Sequence, residues 1–190
     1  MLMSAVRRTS LLLIGLLATP ALAHSGGAHL HGFAAGFVHP LFGWDHLLAM
    51  LAVGIWSAQQ GGVRRVLLPA CFVAAMAVGG ALGMAGVQLG FTETAIAVSV
   101  LALGVLIALA RTLPAPVGAA LCIVAAICHG LAHGGELPLA ASAAGYVLGF
   151  LLATVGLHLA GIALALRLKA VWLRGFGLLA GLAGSYLLLA

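Results

Sequence analysis

Residues 33–57 read FAAGFVHPLFGWDHLLAMLAVGIWS, an apolar run interrupted by one proline, two histidines and one aspartate. About 20 consecutive apolar residues are enough for a helix to cross a bilayer, so this stretch predicts a transmembrane helix. Ionisable side chains are costly in hydrocarbon, and those found there usually face the bundle interior or a path for ions. His39, Asp45 and His46 are therefore the first candidates for function.

The geometry of this motif depends on whether the helix is continuous. On a regular helix, positions seven apart nearly eclipse, which predicts His39 and His46 on one face and Asp45 beside His46. Pro40 lacks a backbone donor and Gly43 loosens the turn, so we expect the segment to be kinked or unwound. An unwound turn exposes backbone carbonyls of the kind that discontinuous transporter helices present to ions.

Five further apolar runs of spanning length follow, separated by short segments rich in glycine, proline or arginine. Charged residues make up 6% of the 190 residues and hydrophobic residues 64%, whereas about a quarter of a soluble domain is charged. The sequence therefore predicts an all-α polytopic membrane protein, with a six-transmembrane-helix bundle over residues 33–190 and no soluble domain. The predicted spans are residues 33–57, 66–85, 94–110, 117–133, 139–166 and 171–189.

The N-terminal region has the three parts of a secretory signal peptide. Two arginines near the start supply the charge, residues 11–17 form a short apolar run, and Ala-Leu-Ala at 21–23 forms a cleavage site. We therefore expect residues 1–23 to be removed. The alternative is an uncleaved first transmembrane helix, but the apolar run is short of the ~20 residues that span a bilayer.

Cleavage would leave residues 24–32 as a histidine-rich periplasmic tail with His24 at its new N-terminus. A terminal histidine chelates metal through its amine and its ring together, and His29 and His31 add further donors. Our hypothesis is that the tail captures metal and passes it to His39. The alternative is an incidental polar tail.

The basic residues indicate the orientation of the bundle. The chain has eight lysines and arginines against three acidic residues, and beyond the signal peptide the bases occupy the first, third and fifth loops. Cytoplasmic loops are enriched in such residues, so these loops are predicted to be cytoplasmic and both mature termini periplasmic. Bases scattered in this way form no patch for a polyanion, which excludes nucleic-acid binding. The bases concerned are Arg64, Arg65, Arg111, Arg167, Lys169 and Arg174.

A second polar cluster reads HGLAHGGE over residues 129–136. The i, i+4 spacing of His129 and His133 places both imidazoles on one helix face, a chelating arrangement for a divalent metal, and Glu136 follows at the mouth. Because this helix and the first run in opposite directions, both clusters are predicted to meet in the outer half of the membrane. Nitrogen and oxygen donors of this kind suit Ni, Co, Zn or Cu rather than Mg or Ca.

The other polar and small residues are less specific. His158 lies deeper in the fifth predicted helix and is either a helix-to-helix hydrogen bonder or a second station on an ion path. Glu93 is interpreted as an interfacial charge, and the three cysteines lack the spacing of a disulfide framework or metal knuckle. Two stripes of small residues predict close helix packing, with self-association into a homo-oligomer as the alternative. They consist of Gly79 with Gly83, and of Gly177, Gly181 and Ser185.

The string from His39 to Gly54 resembles the H-P-x-x-G-x-D-H-x-x-x-M-x-x-V-G signature of the HupE/UreJ family, and the H-G-x-A-H-G-x-E stretch at residues 129–136 is also similar to that family. The resemblance implies a permease of the bacterial inner membrane for nickel, or in some branches cobalt, with a functional link to hydrogenase or urease maturation. It also implies the family's motif residues. These are His39, Asp45 and His46 in the first motif, and His129, His133 and Glu136 in the second.

The sequence accordingly predicts a permease that imports Ni²⁺, with Co²⁺ and then Zn²⁺ as the other metals, through a His/Asp site. The protein is predicted not to be an enzyme and to hold no permanent cofactor; its partners are the metal ion and the lipid bilayer. The sequence has no G-x-x-x-x-G-K-[ST] loop for ATP, so the membrane potential is the expected driving force. Two alternatives remain: an intramembrane Zn-dependent hydrolase that uses the same His and Asp residues, and a haem-binding electron carrier with axial histidines.

Overall fold

The structure, a computed structural model, describes residues 32–135 and 143–190. Within these ranges the regular elements are seven α-helices. The predicted signal peptide, the tail residues His24, His29 and His31, and Glu136 lie outside the described residues. The helices are α1 (Phe33–Phe42), α2 (Trp44–Gln60), α3 (Arg64–Met84), α4 (Thr92–Ala108), α5 (Ala115–Gly135), α6 (Ala143–Arg167) and α7 (Ala170–Leu189).

The first predicted span is broken into two helices. Helices α1 and α2 meet at an angle of 82°, and Gly43 between them is extended, with φ −74° and ψ 102°. The kink predicted from Pro40 and Gly43 is therefore confirmed, and the shared face that a regular helix would give His39 and His46 does not form. Pro40 supplies no amide to continue the helix, and Gly43 has no Cβ to restrict the turn.

The described helices account for four or five membrane spans. Four of them, α3, α5, α6 and α7, are each long and apolar enough to cross a bilayer, and the bent pair α1 and α2 makes a fifth when taken as one span. Helix α4 has 17 residues, or about 25 Å at 1.5 Å per residue, which is shorter than the ~30 Å hydrocarbon core. The chain is thus an all-helical membrane protein, but the six spans predicted from the sequence are not reproduced.

Helix α2 occupies the centre of the bundle and contacts α1, α3, α4, α6 and α7. Its side chains from Ala49 to Ser57 are nearly all enclosed, with Met50, Val53 and Trp56 fully buried. The outer helices pair around it, α3 with α5 and α4 with α7. The surface is apolar: Leu178, Leu179 and Leu182 of α7 are exposed, as lipid-facing side chains are.

Glycines allow the paired helices to touch through their backbones. A Cβ at Gly79 would collide with the backbone of Ile127, and one at Gly130 would collide with the carbonyl of Met76, so α3 and α5 are in direct contact there. Gly177 of α7 meets α4 in the same way. The small-residue stripes therefore allow close helix packing, as predicted, and the structure shows that the partner helices belong to the same chain.

Hydrogen bonds join the first and third loops at one end of the bundle. The Gln60 side chain donates to the carbonyl of Arg111 and accepts from the amide of Leu113, both at 3.0 Å. Arg64 donates to the Leu113 carbonyl at 2.9 Å, and Trp56 donates to the Arg111 carbonyl at 3.0 Å. Two of the base-rich loops therefore share one end of the bundle, as their prediction as cytoplasmic loops requires.

Candidate metal centre

Three buried histidines from two helices converge inside the bundle. His46 lies in the first turn of α2, and His129 and His133 lie near the end of α5. One ring nitrogen from each histidine lies within 4.8 Å of the other two, and their exposed fractions are 5%, 0% and 6%. We call these residues the three-histidine centre. Neutral imidazole is the most common protein ligand for transition metals, so this arrangement has the composition of a metal site.

The rings of the centre pack directly on each other. The ring centroid of His46 lies 4.0 Å from that of His133 and 4.9 Å from that of His129, and the Nε2 atoms of His46 and His133 face each other. The two α5 histidines lie on one face because they are four residues apart. The bend at Gly43 then brings the start of α2 against that face.

An acid contacts one histidine and a hydroxyl contacts another. The Oδ1 atom of Asp45 lies 2.9 Å from Nδ1 of His46. The Ser99 hydroxyl donates to the Ile96 carbonyl at 2.7 Å and lies 3.1 Å from Nε2 of His129. Because the serine proton is already used, His129 donates its Nε2–H to Ser99, and Nδ1 keeps the lone pair. Partners of this kind fix the ring orientation and tautomer of a metal-ligating histidine.

Sequence reasoning did not identify Ser99. Its signal is weak, because a serine in an apolar helix that bonds the carbonyl three residues earlier looks like any other helical serine. Only the packing of α4 against α5 shows that its oxygen also contacts His129. Phe150 was not identified either, because its contact also depends on how the helices pack. Its ring centroid lies 4.7 Å from that of His133, and the ring covers the centre on the α6 side.

We expect Ser99→Ala to weaken Ni²⁺ binding by about 10–100-fold, the usual cost of losing a partner that orients a metal-ligating histidine. Ser185→Ala is the matched control, since Ser185 likewise donates to a carbonyl of its own helix, that of Gly181, at 3.0 Å. Equilibrium dialysis of the two purified variants against Ni²⁺ measures the difference. Equal affinities for both variants would show that the Ser99 contact does not position His129.

His39 and Asp45 lie directly beside the three-histidine centre. The half-buried ring of His39 has its centroid 4.6 Å from that of His133 and 6.2 Å from that of His46. Asp45 contacts the outer nitrogen of His46 and so orients that ring. The first motif therefore supplies one member of the centre and two neighbours of it.

Two cavities lie along the last turns of α5. One, of about 30 Å³, is lined by His133, Tyr146 and Phe150 among others, and has room for a single water or small ion. The other, of about 280 Å³, lies between the α3–α4 loop and the end of α5 and is lined partly by Glu93. Glu93 is exposed in the first turn of α4, which agrees with its interpretation as an interfacial charge.

His158 lies apart from the centre. It is 1% exposed on α6, and its Nδ1 atom lies 2.8 Å from the Met50 carbonyl oxygen of α2. Of the ten residues singled out in the sequence, the structure thus brings His46, His129 and His133 together, with His39 and Asp45 adjacent and His158 separate. The other four lie outside the described residues: His24, His29, His31 and Glu136.

Comparison with known proteins gives two matches. The family described as HupE / UreJ protein matches residues 11–187. The chain is also similar to the protein HupE of Rhizobium leguminosarum bv. viciae, with 49% identity over 150 residues, which cover 78% of this chain and 78% of that protein. No solved structure matches the chain.

Proposed function

The chain belongs to the HupE/UreJ family, and on this basis we propose that it is a membrane permease that imports a divalent transition metal, Ni²⁺ first and Co²⁺ second. The family is associated with nickel and cobalt transport. The observation that carries the proposal is the three-histidine centre, where ring nitrogens of His46, His129 and His133 lie within 4.8 Å of one another inside a bundle of apolar helices.

The chemistry of the centre suits a cation that must be both bound and released. Imidazole nitrogens replace the water of a divalent transition metal well, and they hold Mg²⁺ or Ca²⁺ poorly. In the proposed cycle the hydrated ion arrives at Glu93 and Glu136, exchanges its water for the three-histidine centre beside His39, and leaves when the joint between α1 and α2 rearranges. The hinge is the bend at Gly43.

The finer topology belongs to the same proposal. We place six spans in residues 33–190, with α1 and α2 as one broken span and α4 as a short one. The basic loops face the cytoplasm and both mature termini face the periplasm of a bacterial inner membrane. Removal of residues 1–23 exposes the tail of residues 24–32, which captures metal for His39. Unchanged uptake by a protein whose signal peptide is made uncleavable would overturn the role of the tail.

Transport by purified protein in proteoliposomes tests the proposed function. An inside-negative potential favours entry of a divalent cation by ~4.6 kcal/mol per 100 mV, or an accumulation of roughly three orders of magnitude. We expect radiolabelled Ni²⁺ to enter without ATP, to accumulate as the potential becomes more negative, and to be displaced by Co²⁺. Entry of neither metal above the level of protein-free liposomes would refute the permease.

The two alternative functions receive less support. Neither the matching family nor the relative is described as a hydrolase. Asp45, the carboxylate nearest the centre among the described residues, lies against His46 in the position of an orienting partner. A haem needs its axial histidines on opposite faces of a porphyrin. The rings of His46 and His133 pack on each other with centroids 4.0 Å apart, which leaves no room for that plane.

A further inference from the structure

The hydrogen bond of His158 fixes its tautomer. Its Nδ1 atom lies 2.8 Å from the Met50 carbonyl oxygen, and a carbonyl can only accept, so Nδ1 carries the ring proton. In the neutral ring the lone pair is then on Nε2. That atom is buried and has no hydrogen-bond partner among the residues that the structure describes. Metal-ligating histidines have this arrangement, with one nitrogen donating to a carbonyl and the other free for the ion.

A second buried polar atom lies one helical turn away. Thr154 precedes His158 by four residues on α6, is 0% exposed, and its Oγ1 atom also lacks a partner within the described ranges. Side chains four residues apart are neighbours on a helix surface. Buried polar groups are nearly always hydrogen-bonded, so two unpartnered ones on adjacent turns indicate a place that receives a polar ligand.

The position of His158 relates it to the three-histidine centre. The buried ring of Phe72 lies between them, with its centroid 5.2 Å from that of His158 and 5.9 Å from that of His129. Met50, whose carbonyl holds His158, follows His46 by one turn of α2. Helices α2 and α6 approach closely at this level, because a Cβ on Gly54 would collide with the His158 carbonyl.

We propose that His158 Nε2, together with the Thr154 hydroxyl, forms a second binding station for the transported divalent metal, between the three-histidine centre and the end of α6 that carries Arg167. The inference rests on the proposed permease function. A nitrogen and an oxygen donor are chemically suited to the same metals as the centre. A histidine with a purely structural role would need only its Nδ1–H, which donates to the Met50 carbonyl. A metal-binding role also requires Nε2, so removing Nε2 alone distinguishes the two roles.

The test uses a variant that keeps the structural hydrogen bond and removes the metal ligand. In His158→Asn the side-chain amide takes the place of Nδ1 and can still donate to Met50, whereas nothing replaces Nε2. We expect purified full-length His158→Asn to bind one Ni²⁺ fewer than wild type in equilibrium dialysis, and to transport radiolabelled Ni²⁺ into proteoliposomes at least tenfold more slowly. Thr154→Val, which keeps the side-chain shape, is expected to show a smaller loss of both.

Each other result gives a decision. Slower transport with the same number of bound ions would assign His158 to packing and overturn the second station, as would a variant equal to wild type in both measurements. If wild-type protein binds Ni²⁺ but transports none, the permease function fails, and the difference of one bound ion still decides whether His158 is a metal site. Thermal unfolding of the variants confirms that each is folded when it is measured.

Discussion

Cells producing the His46→Ala variant are expected to take up radiolabelled Ni²⁺ no faster than cells without the protein. His46 is the hub of the three-histidine centre, since its ring contacts both His129 and His133 and it is the only member supplied by α2. Loss of an outer partner of a metal ligand costs about 10–100-fold in affinity, so loss of the ligand itself is expected to cost at least ~100-fold. At a low nickel concentration, such a decrease in affinity is expected to abolish measurable transport.

The control for this variant separates a lost ligand from a lost volume. Ile55 lies on the same helix and is also buried, at 1% exposed, and Ile55→Ala opens a cavity in the core at a cost of about 2–5 kcal/mol without touching a nitrogen ligand. We expect Ile55→Ala to retain uptake in proportion to its abundance in the membrane, measured by immunoblot. If both variants lose uptake alike, the effect of His46→Ala is one of folding and the centre loses its main support.

The second large effect is expected from Gly130→Leu. Gly130 lies between His129 and His133, where a Cβ would collide with the Met76 carbonyl and the Gly80 amide nitrogen. These are backbone atoms, which cannot rotate away, so α3 and α5 must separate. Overpacking costs about 3 kcal/mol or more, which lowers Tm by roughly 6–12 °C in a chain of this size. Displacement of α5 also moves both of its histidines, so Ni²⁺ uptake is expected to fall with stability.

Gly156→Leu is the matched substitution. Gly156 is an exposed glycine of α6 with no atom near the position of an added Cβ. The same change therefore causes no clash there, and we expect it to leave the free energy of unfolding unchanged or to raise it by up to about 1 kcal/mol, the usual gain on replacing a glycine inside a helix. Thermal unfolding in detergent and Ni²⁺ uptake are measured for both. Equal Tm values for the two variants would show that α3 and α5 are not in backbone contact at Gly130.

The sequence patterns were sufficient to predict the apolar helices and the two histidines that α5 contributes to the three-histidine centre. The spacing of His129 and His133 fixes their shared face on any regular helix, and the opposite directions of two spans predict that His46 can reach it. The bend was predicted from Pro40 and Gly43, but its angle depends on packing between α1 and α6. Nothing in the local sequence specifies that angle, so the position of His39 relative to the three-histidine centre could not be foreseen.

The helix count shows a similar limit. Hydropathy predicts where apolar segments lie, and every predicted span has a helix within it. Hydropathy does not show whether the helix formed by a segment such as residues 94–110 is long enough to cross the bilayer by itself. Apolar side chains give the same signal when neighbouring helices bury them as when they face lipid. Contacts between side chains on different helices are a second feature that the sequence does not predict. The Ser99 hydroxyl donates to a carbonyl of its own helix, as helical serines commonly do, and its contact with His129 depends on how α4 packs against α5.

The break at Gly43 also has an electrostatic consequence. Because α2 begins there, its first amides, at the positive end of the helix dipole, lie beside the three-histidine centre with a charge of about +0.5. Gly43 has no side chain to cap these amides. A divalent cation would be repelled by this end, and Asp45, the acidic residue of the first turn, offsets it with a full negative charge. Asp45 and the helix terminus together leave a net charge of about −0.5 beside the centre, which attracts a cation. Most of the charge of a divalent ion remains unbalanced there, which favours its release.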